Sequence, residues 1–183
     1  MSCPPPRRSL SMRAGVGIAA AALLTAVPAY TEIASADSGL TASDGALDRP
    51  VSPFGEGHPA VDNLDPDLRE AIRHAATDAR RDGVEVLINS GWRSRSHQQH
   101  LLDEAVAEDG PEEAARRVNT PDRSTHVTGK AIDVGPQRAD RWLQRNGAAY
   151  GLCQVYANEI WHFELTTVPG RPCPPQLPDA SAG

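Results

Sequence analysis

Two stretches of this chain carry residues whose types and order could do chemistry: Ser124-Thr125-His126-Val127-Thr128-Gly129-Lys130-Ala131-Ile132-Asp133 and Glu159-Ile160-Trp161-His162. Two imidazoles and one carboxylate, His126, His162 and Asp133, can hold a zinc ion and leave its fourth coordination position open to water. Glu159 is then a second carboxylate placed to move protons. A purely structural metal site has no need of it, so the inventory points to metal-assisted hydrolysis.

These residues need elements that bring them together. Gly129 permits a turn after His126, and a strand over Lys130 to Val134 puts Ala131 and Asp133 on one face and Lys130, Ile132 and Val134 on the other. The small Ala131 leaves room for a metal beside Asp133. A final strand from Trp161 to Leu165 carries His162 and pairs with one from Leu152 to Tyr156. Three residues separate Glu159 from His162, which would set them on opposite strand faces, so Asn158 to Ile160 is expected to be a loop or bulge that swings Glu159 over the metal.

Earlier in the chain, Asp65-Pro66 reads as an N-cap with proline at the first helical position, and Leu68, Ala71, Ile72, Ala75, Ala76 and Ala79 recur at helical spacing up to Gly83. Val84, Val86 and Ile88 alternate in a strand from Val84 to Ser90. A helix from Ser96 to Ala107 turns Leu101, Leu102, Ala105 and Val106 inward, and Gly110-Pro111 breaks it before a short helix to Arg117. Ala139 to Asn146 is helical, with Trp142 and Leu143 packing inward. The expected class is α+β: a small antiparallel sheet carrying the metal site, with helices packed on one side.

Residues 1–36 read as a signal peptide, with Arg7, Arg8 and Arg13 before an apolar run from Ala14 to Ala29 and a small-x-small cleavage pattern at Ala34-Ser35-Ala36. An uncleaved N-terminal anchor is the minor alternative. Removing that segment takes three Arg and one Glu from 18 basic and 24 acidic side chains, leaving 15 and 23, a formal charge of −8. That balance argues against a nucleic-acid partner. Residues 37–58 and the Pro-rich residues 169–183 are expected to be largely disordered, flanking one domain over residues 59–168. Cys3 leaves with the signal, so Cys153 and Cys173 are expected to form a disulfide in an oxidising compartment, worth about 3 kcal/mol.

The two motif stretches resemble the zinc D-alanyl-D-alanine carboxypeptidases and dipeptidases of bacterial cell-wall metabolism, the family that includes the vancomycin-resistance enzymes. Its S-x-H-x-x-G-x-A-x-D pattern is met at Ser124, His126, Gly129, Ala131 and Asp133, and its E-x-x-H pattern at Glu159 and His162. Ser90-Gly91-Trp92-Arg93-Ser94 followed by Gln98 is similar to a third block in the expected order. The resemblance spans roughly residues 64–165.

It implies one zinc per chain held by His126, Asp133 and His162, Glu159 as general base and acid, and Arg93 binding the substrate carbonyl. Gln98, on the first turn of a helix reaching the cleft, and Ser124 become candidate substrate contacts, with packing almost as open to Gln98 and Ser124 equally able to buttress the His126 turn. The implied substrate is a peptidoglycan stem peptide or its precursor, trimmed of terminal D-Ala by a secreted, monomeric protein in the cell-wall space. An L,D-endopeptidase of the same stem and a non-catalytic wall-binding module are the alternatives.

Two departures from related enzymes stand out. Only Ala157 and Asn158 separate Tyr156 from Glu159, where many family members carry a longer hairpin. Glu164 also replaces the second histidine of the H-x-H found in lysostaphin-like enzymes, leaving Glu159 as the base. Trp92, Trp142 and Trp161 read as core, though Trp161 could wall the pocket. His58, His74, His97 and His100 fit no ligand pattern and read as solvated.

Overall fold

The computed structural model describes residues 39–183, so the expected signal peptide lies outside the described residues. Five α-helices and four strands follow in the order α1 (Pro59–Asp62), α2 (Pro66–Arg81), β1 (Leu87–Ser90), α3 (Arg95–Asp109), α4 (Pro111–Arg117), β2 (Ala131–Gly135), α5 (Gln137–Asn146), β3 (Leu152–Gln154) and β4 (His162–Leu165). The strands form one sheet in the order β1-β2-β4-β3, antiparallel at every step. This is the expected α+β class.

α2 begins as its sequence requires: the Asp65 side chain accepts from the backbone N–H groups of Asp67 and Leu68 at 3.0 and 3.4 Å, and Pro66 follows. The helix buries Leu68, Ile72, Ala75, Ala76 and Ala79 against Ile88, Ile132, Val134 and Phe163, which lie on one face of the sheet. α5 joins it there through Trp142 and Leu143. Trp142 Nε1 donates to Asp82 at 2.7 Å, and the Tyr150 hydroxyl donates to Asp78 at 2.7 Å, fastening both to α2 and its end. With that face filled by hydrocarbon, the opposite face is left to carry Ser90, Asp133 and His162.

β1 is shorter than the alternation of Val84, Val86 and Ile88 predicts. All three are buried, but the ladder ends where Leu87 meets Gly135. The next residue, Pro136, has no N–H to donate, so pairing cannot continue toward Val84. Val106, expected to point inward from α3, is 38% exposed, while Ala105 is buried.

Both flanks expected to be disordered are ordered over the described residues. In the first, Val51 exchanges backbone hydrogen bonds with Ile88 at 3.0 and 2.8 Å, adding to the free edge of β1. Asp44 accepts from Ser94 Oγ at 2.9 Å, and Pro53 O accepts from Arg73 Nε at 2.9 Å. Gly45, at φ 80°, lies so close to the Trp92 carbonyl that a Cβ would sit 2.0 Å from its oxygen. In the C-terminal segment, Cys173 is bonded to Cys153 as expected. Leu177 then pairs beside Tyr156, with Leu177 N donating to Val155 O and Ala157 N to Leu177 O at 2.9 and 2.8 Å. Low hydrophobicity argued for disorder in both segments, but backbone pairing to an exposed sheet edge and one cross-link supply the ordering that side-chain burial could not. Among the described residues no helix is long and apolar enough to cross a membrane.

Asp140, in α5, is 4% exposed, and its Oδ1 has no hydrogen-bond partner among the described residues. Burial pushes its carboxyl up to about 6. The folded chain therefore holds this proton more tightly than the unfolded chain. The associated stability is present below the ordinary value of 3.8 and is lost as pH rises through about 6. Asp140→Asn should stabilise the fold by about 1–2 kcal/mol at pH 7 and by much less at pH 4. Thermal melts at the two pH values check this, and an equal gain at both would count against it.

Candidate active site

The site is assembled from three parts of the chain on the sheet face opposite the core. β2 supplies Asp133, β4 supplies His162 directly across from it in register, and the turn leading into β2 supplies His126. Gly129 makes that turn possible: its φ is 71°, and a Cβ there would lie 2.5 Å from Asn63 O. The β1–β2 register slips between Ile88 and Ser90, and this irregularity sets Ser90 opposite Asp133. The chain then passes through Gly91 and Trp92 to Arg93.

His126 Nε2, His162 Nδ1 and Asp133 Oδ1 form a nearly equilateral triangle: 3.3 Å between the imidazoles, 3.2 Å from His162 to Asp133 and 3.4 Å from His126 to Asp133. A tetrahedral zinc about 2.0–2.1 Å from nitrogen and oxygen donors requires edges of about 3.3 Å, so the three donors fit that ion. The remaining His126 nitrogen, Nδ1, lies 2.8 Å from Gly91 O. Donation to that carbonyl leaves the Nε2 lone pair free for a metal.

Electrostatics distinguish the members. Burial pushes the Asp133 carboxyl up, but His126, His162 and Arg93 around it outweigh this and hold it well below the usual range. His126 is pushed down by burial and Arg93. For His162, burial acts downward, but Asp133 and Glu164 win and raise it to about 9. Glu159 is raised to about 7 by burial, with Asp133 adding to the rise and His162 opposing it. A cation held by the triangle would pull Glu159 back down.

Glu159 sits in the expected turn: its N–H lies 3.3 Å from Tyr156 O, and its own carbonyl accepts from His162 N at 3.2 Å. One carboxylate oxygen, Oε2, is 3.8 Å from His162 Nδ1, whereas Oε1 is buried without a hydrogen-bond partner among the described residues. A buried acceptor left unpaired is costly unless something arrives to use it. Glu159 lines a cleft of about 660 Å³ that also reaches His126, Asp133, Arg93 and Ser124.

Arg93 is anchored on three sides. Nε donates to Ser90 Oγ at 2.8 Å, Nη1 to Gln98 Oε1 at 3.0 Å and Nη2 to Asp133 Oδ2 at 2.8 Å. Its five N–H groups leave two for a substrate oxygen. Of the two readings for Gln98, the structure takes the packed one: it is 1% exposed, and its amide joins Arg93 to Asn119 O at 2.8 Å, so it supports Arg93 and does not wall the cleft. Ser124 does line the cleft, 5% exposed. Trp161, read as core, is instead 43% exposed at the cleft wall, because the turn after Glu159 carries it off the packed face. Of the remaining histidines read as solvated, His74 is exposed, whereas His58, His97 and His100 are partly buried, His97 with its Nδ1 3.1 Å from Asp44 O.

Glu164 had drawn notice in the sequence only as the replacement for a histidine. It lies two residues beyond His162 on the same strand face, with Oε1 3.0 Å from His162 Nε2. The period of two along β4 was the available signal.

A buried triangle of two imidazoles and a carboxylate, with a second carboxylate and an anchored guanidinium lining the same cleft, is a donor set that could hold a metal beside a proton-transferring group, as a hydrolase site requires. Comparison with known proteins agrees with this class. The family model of VanY, D-alanyl-D-alanine carboxypeptidase, matches residues 61–167, and the chain belongs to that family. A D-alanyl-D-alanine carboxypeptidase of Enterococcus faecalis (strain ATCC 700802 / V583) is 31% identical over 116 residues, covering 49% of this chain and 43% of the relative. The chain thus spans less than half the length of the curated relatives it matches. Among solved structures, a Zn(II) complex of the vancomycin-resistance D,D-pentapeptidase VanY from a VanB-type cassette aligns with TM-score 0.54 at 26% identity, covering 57% of this chain and 73% of that one. VanYB in complex with D-alanine-D-alanine aligns with the same score and identity, covering 57% and 72%.

Proposed function

We propose that this chain is a zinc-dependent peptidase of the bacterial cell-wall space that removes the terminal D-alanine from peptidoglycan stem peptides. Residues 1–36 direct its export, and one zinc is held by His126 Nε2, Asp133 Oδ1 and His162 Nδ1. The observation that carries this reading is the triangle of donor atoms 3.2–3.4 Å apart beside Glu159 Oε1, which has no hydrogen-bond partner among the described residues. Membership of a D-alanyl-D-alanine carboxypeptidase family and the D-alanine-D-alanine complex of a similar structure support the choice of substrate.

Zinc bound there supplies a Lewis acid that polarises a carbonyl and acidifies water. Glu159 accepts the proton of the attacking water at its carboxylate and returns it to the leaving amine of D-alanine. The two uncommitted N–H groups of Arg93 stabilise the carbonyl oxygen as negative charge builds on it, with a cation that stays protonated at any working pH. Gln98 and Ser90 hold that guanidinium still, and Ser124 is the remaining polar side chain offered to the peptide end.

The test is incubation of zinc-loaded protein with a pentapeptide wall precursor ending in D-Ala-D-Ala, with and without chelator, and identification of products by mass. Free D-alanine plus a tetrapeptide, abolished by chelation, is the expected result. Release of a larger fragment would favour an endopeptidase, and binding without cleavage would favour a wall-binding module.

A further inference from the structure

Glu164 is 15% exposed at its side chain and is not among the residues lining the cleft. Its Oε1 instead lies at the meeting point of two groups. Thr125 Oγ1 donates to it at 2.9 Å, and His162 Nε2 lies 3.0 Å away. One carboxylate oxygen has lone pairs enough for both. Thr125 is the chain neighbour of His126, and Glu164 lies across the sheet from Ala131. The small residue whose face was expected to leave room for a metal therefore stands opposite the carboxylate that holds a metal ligand.

An imidazole can carry its proton on either nitrogen, and only the form with Nε2–H presents a lone pair at Nδ1, the atom in the donor triangle. We infer that Glu164, steadied by Thr125, is the positioning residue that fixes His162 as an Nδ1 metal ligand and joins the two segments bearing the imidazoles. This rests on the zinc reading above. The effect on the metal runs through His162: an anionic acceptor on the far nitrogen sets ring tautomer and orientation and makes the ligating nitrogen more basic. His126 obtains the corresponding service from the neutral Gly91 carbonyl, so the two imidazoles are oriented by different means.

The experiment is zinc affinity of the full-length protein, measured by competition with a chromophoric chelator, alongside thermal melting of the metal-free protein. Glu164→Ala should bind zinc about 10–100-fold more weakly, with metal-free melting unchanged. Glu164→Gln should recover most of the affinity, because its side-chain oxygen can still accept from both His162 and Thr125. Thr125→Val should fall between them. Wild-type affinity in Glu164→Ala, or a loss in Glu164→Gln as deep as in Glu164→Ala, would overturn the inference. Should Glu164→Ala fail to fold, the Gln and Thr125→Val variants decide it by the same measurement, since a weakening in Thr125→Val with Gln near wild type is expected only of positioning. Wild-type protein that binds no zinc would sink the metal reading and this inference together. Protein that binds zinc and shows the predicted series but releases no D-alanine would overturn the substrate reading alone.

Discussion

Glu159→Gln should leave zinc content at the wild-type level and reduce D-alanine release by about 10²–10⁴-fold. The substitution keeps shape and removes only the ability to take up and return a proton. Glu159 lies outside the donor triangle, with Oε2 3.8 Å from His162 Nδ1, so the metal loses no ligand. Its environment is one that tunes a carboxyl for this work: burial raises it to about 7 before any cation is present, and the Oε1 atom has no partner within the described protein. Metal analysis beside single-turnover kinetics distinguishes the outcomes. A Gln variant as active as wild type would show that another group is the base, and a variant without zinc would make Glu159 a ligand.

Arg93→Lys is expected to lower turnover by about 10²–10³-fold while the protein still folds and still binds zinc. A lysine keeps the charge but not the fork. Arg93 makes hydrogen bonds to Ser90, Gln98 and Asp133 in three directions at 2.8–3.0 Å, and a single ammonium on a flexible stem cannot reproduce that arrangement or keep two further N–H groups aimed at a carbonyl. Because the Asp133 contact uses Oδ2 while Oδ1 belongs to the donor triangle, the ligand survives but is less firmly oriented. Measurement of kcat against zinc content decides the matter. Unchanged kinetics would reduce Arg93 to a support for Asp133.

Much of this was legible in the order of residues. The periodicity from Leu68 to Ala79, the Asp65-Pro66 start and the alternation around Ile132 each describe a local preference, and local preferences survive folding when burial agrees with them. The motif residues His126, Asp133, Glu159 and His162 could be grouped in advance because their types make up one metal-site inventory and their two patterns resemble those of one family, although the spacing of Glu159 and His162 required a loop between them. The ordered flanks could not be anticipated in this way. Val51 is held by backbone hydrogen bonds to Ile88 in β1, and Leu177 by bonds to Val155 and Ala157 just beyond β3, and composition carries no trace of such backbone partners waiting to be paired.

The same division runs through the site. The chemical inventory, the family and the α+β class could be read from the residues in order, since these depend on residue types and short-range spacing. Tertiary structure alone decided that Gln98 faces Arg93 and not the cleft, that Trp161 stands at the cleft wall, that Glu164 meets both His162 and Thr125, and which nitrogen of each imidazole turns inward. Several of these rest on hydrogen bonds between segments far apart in sequence, such as Gln98 to Asn119 O at 2.8 Å and Thr125 to Glu164 at 2.9 Å, the range in which a hydrogen bond discriminates one atom from its neighbour.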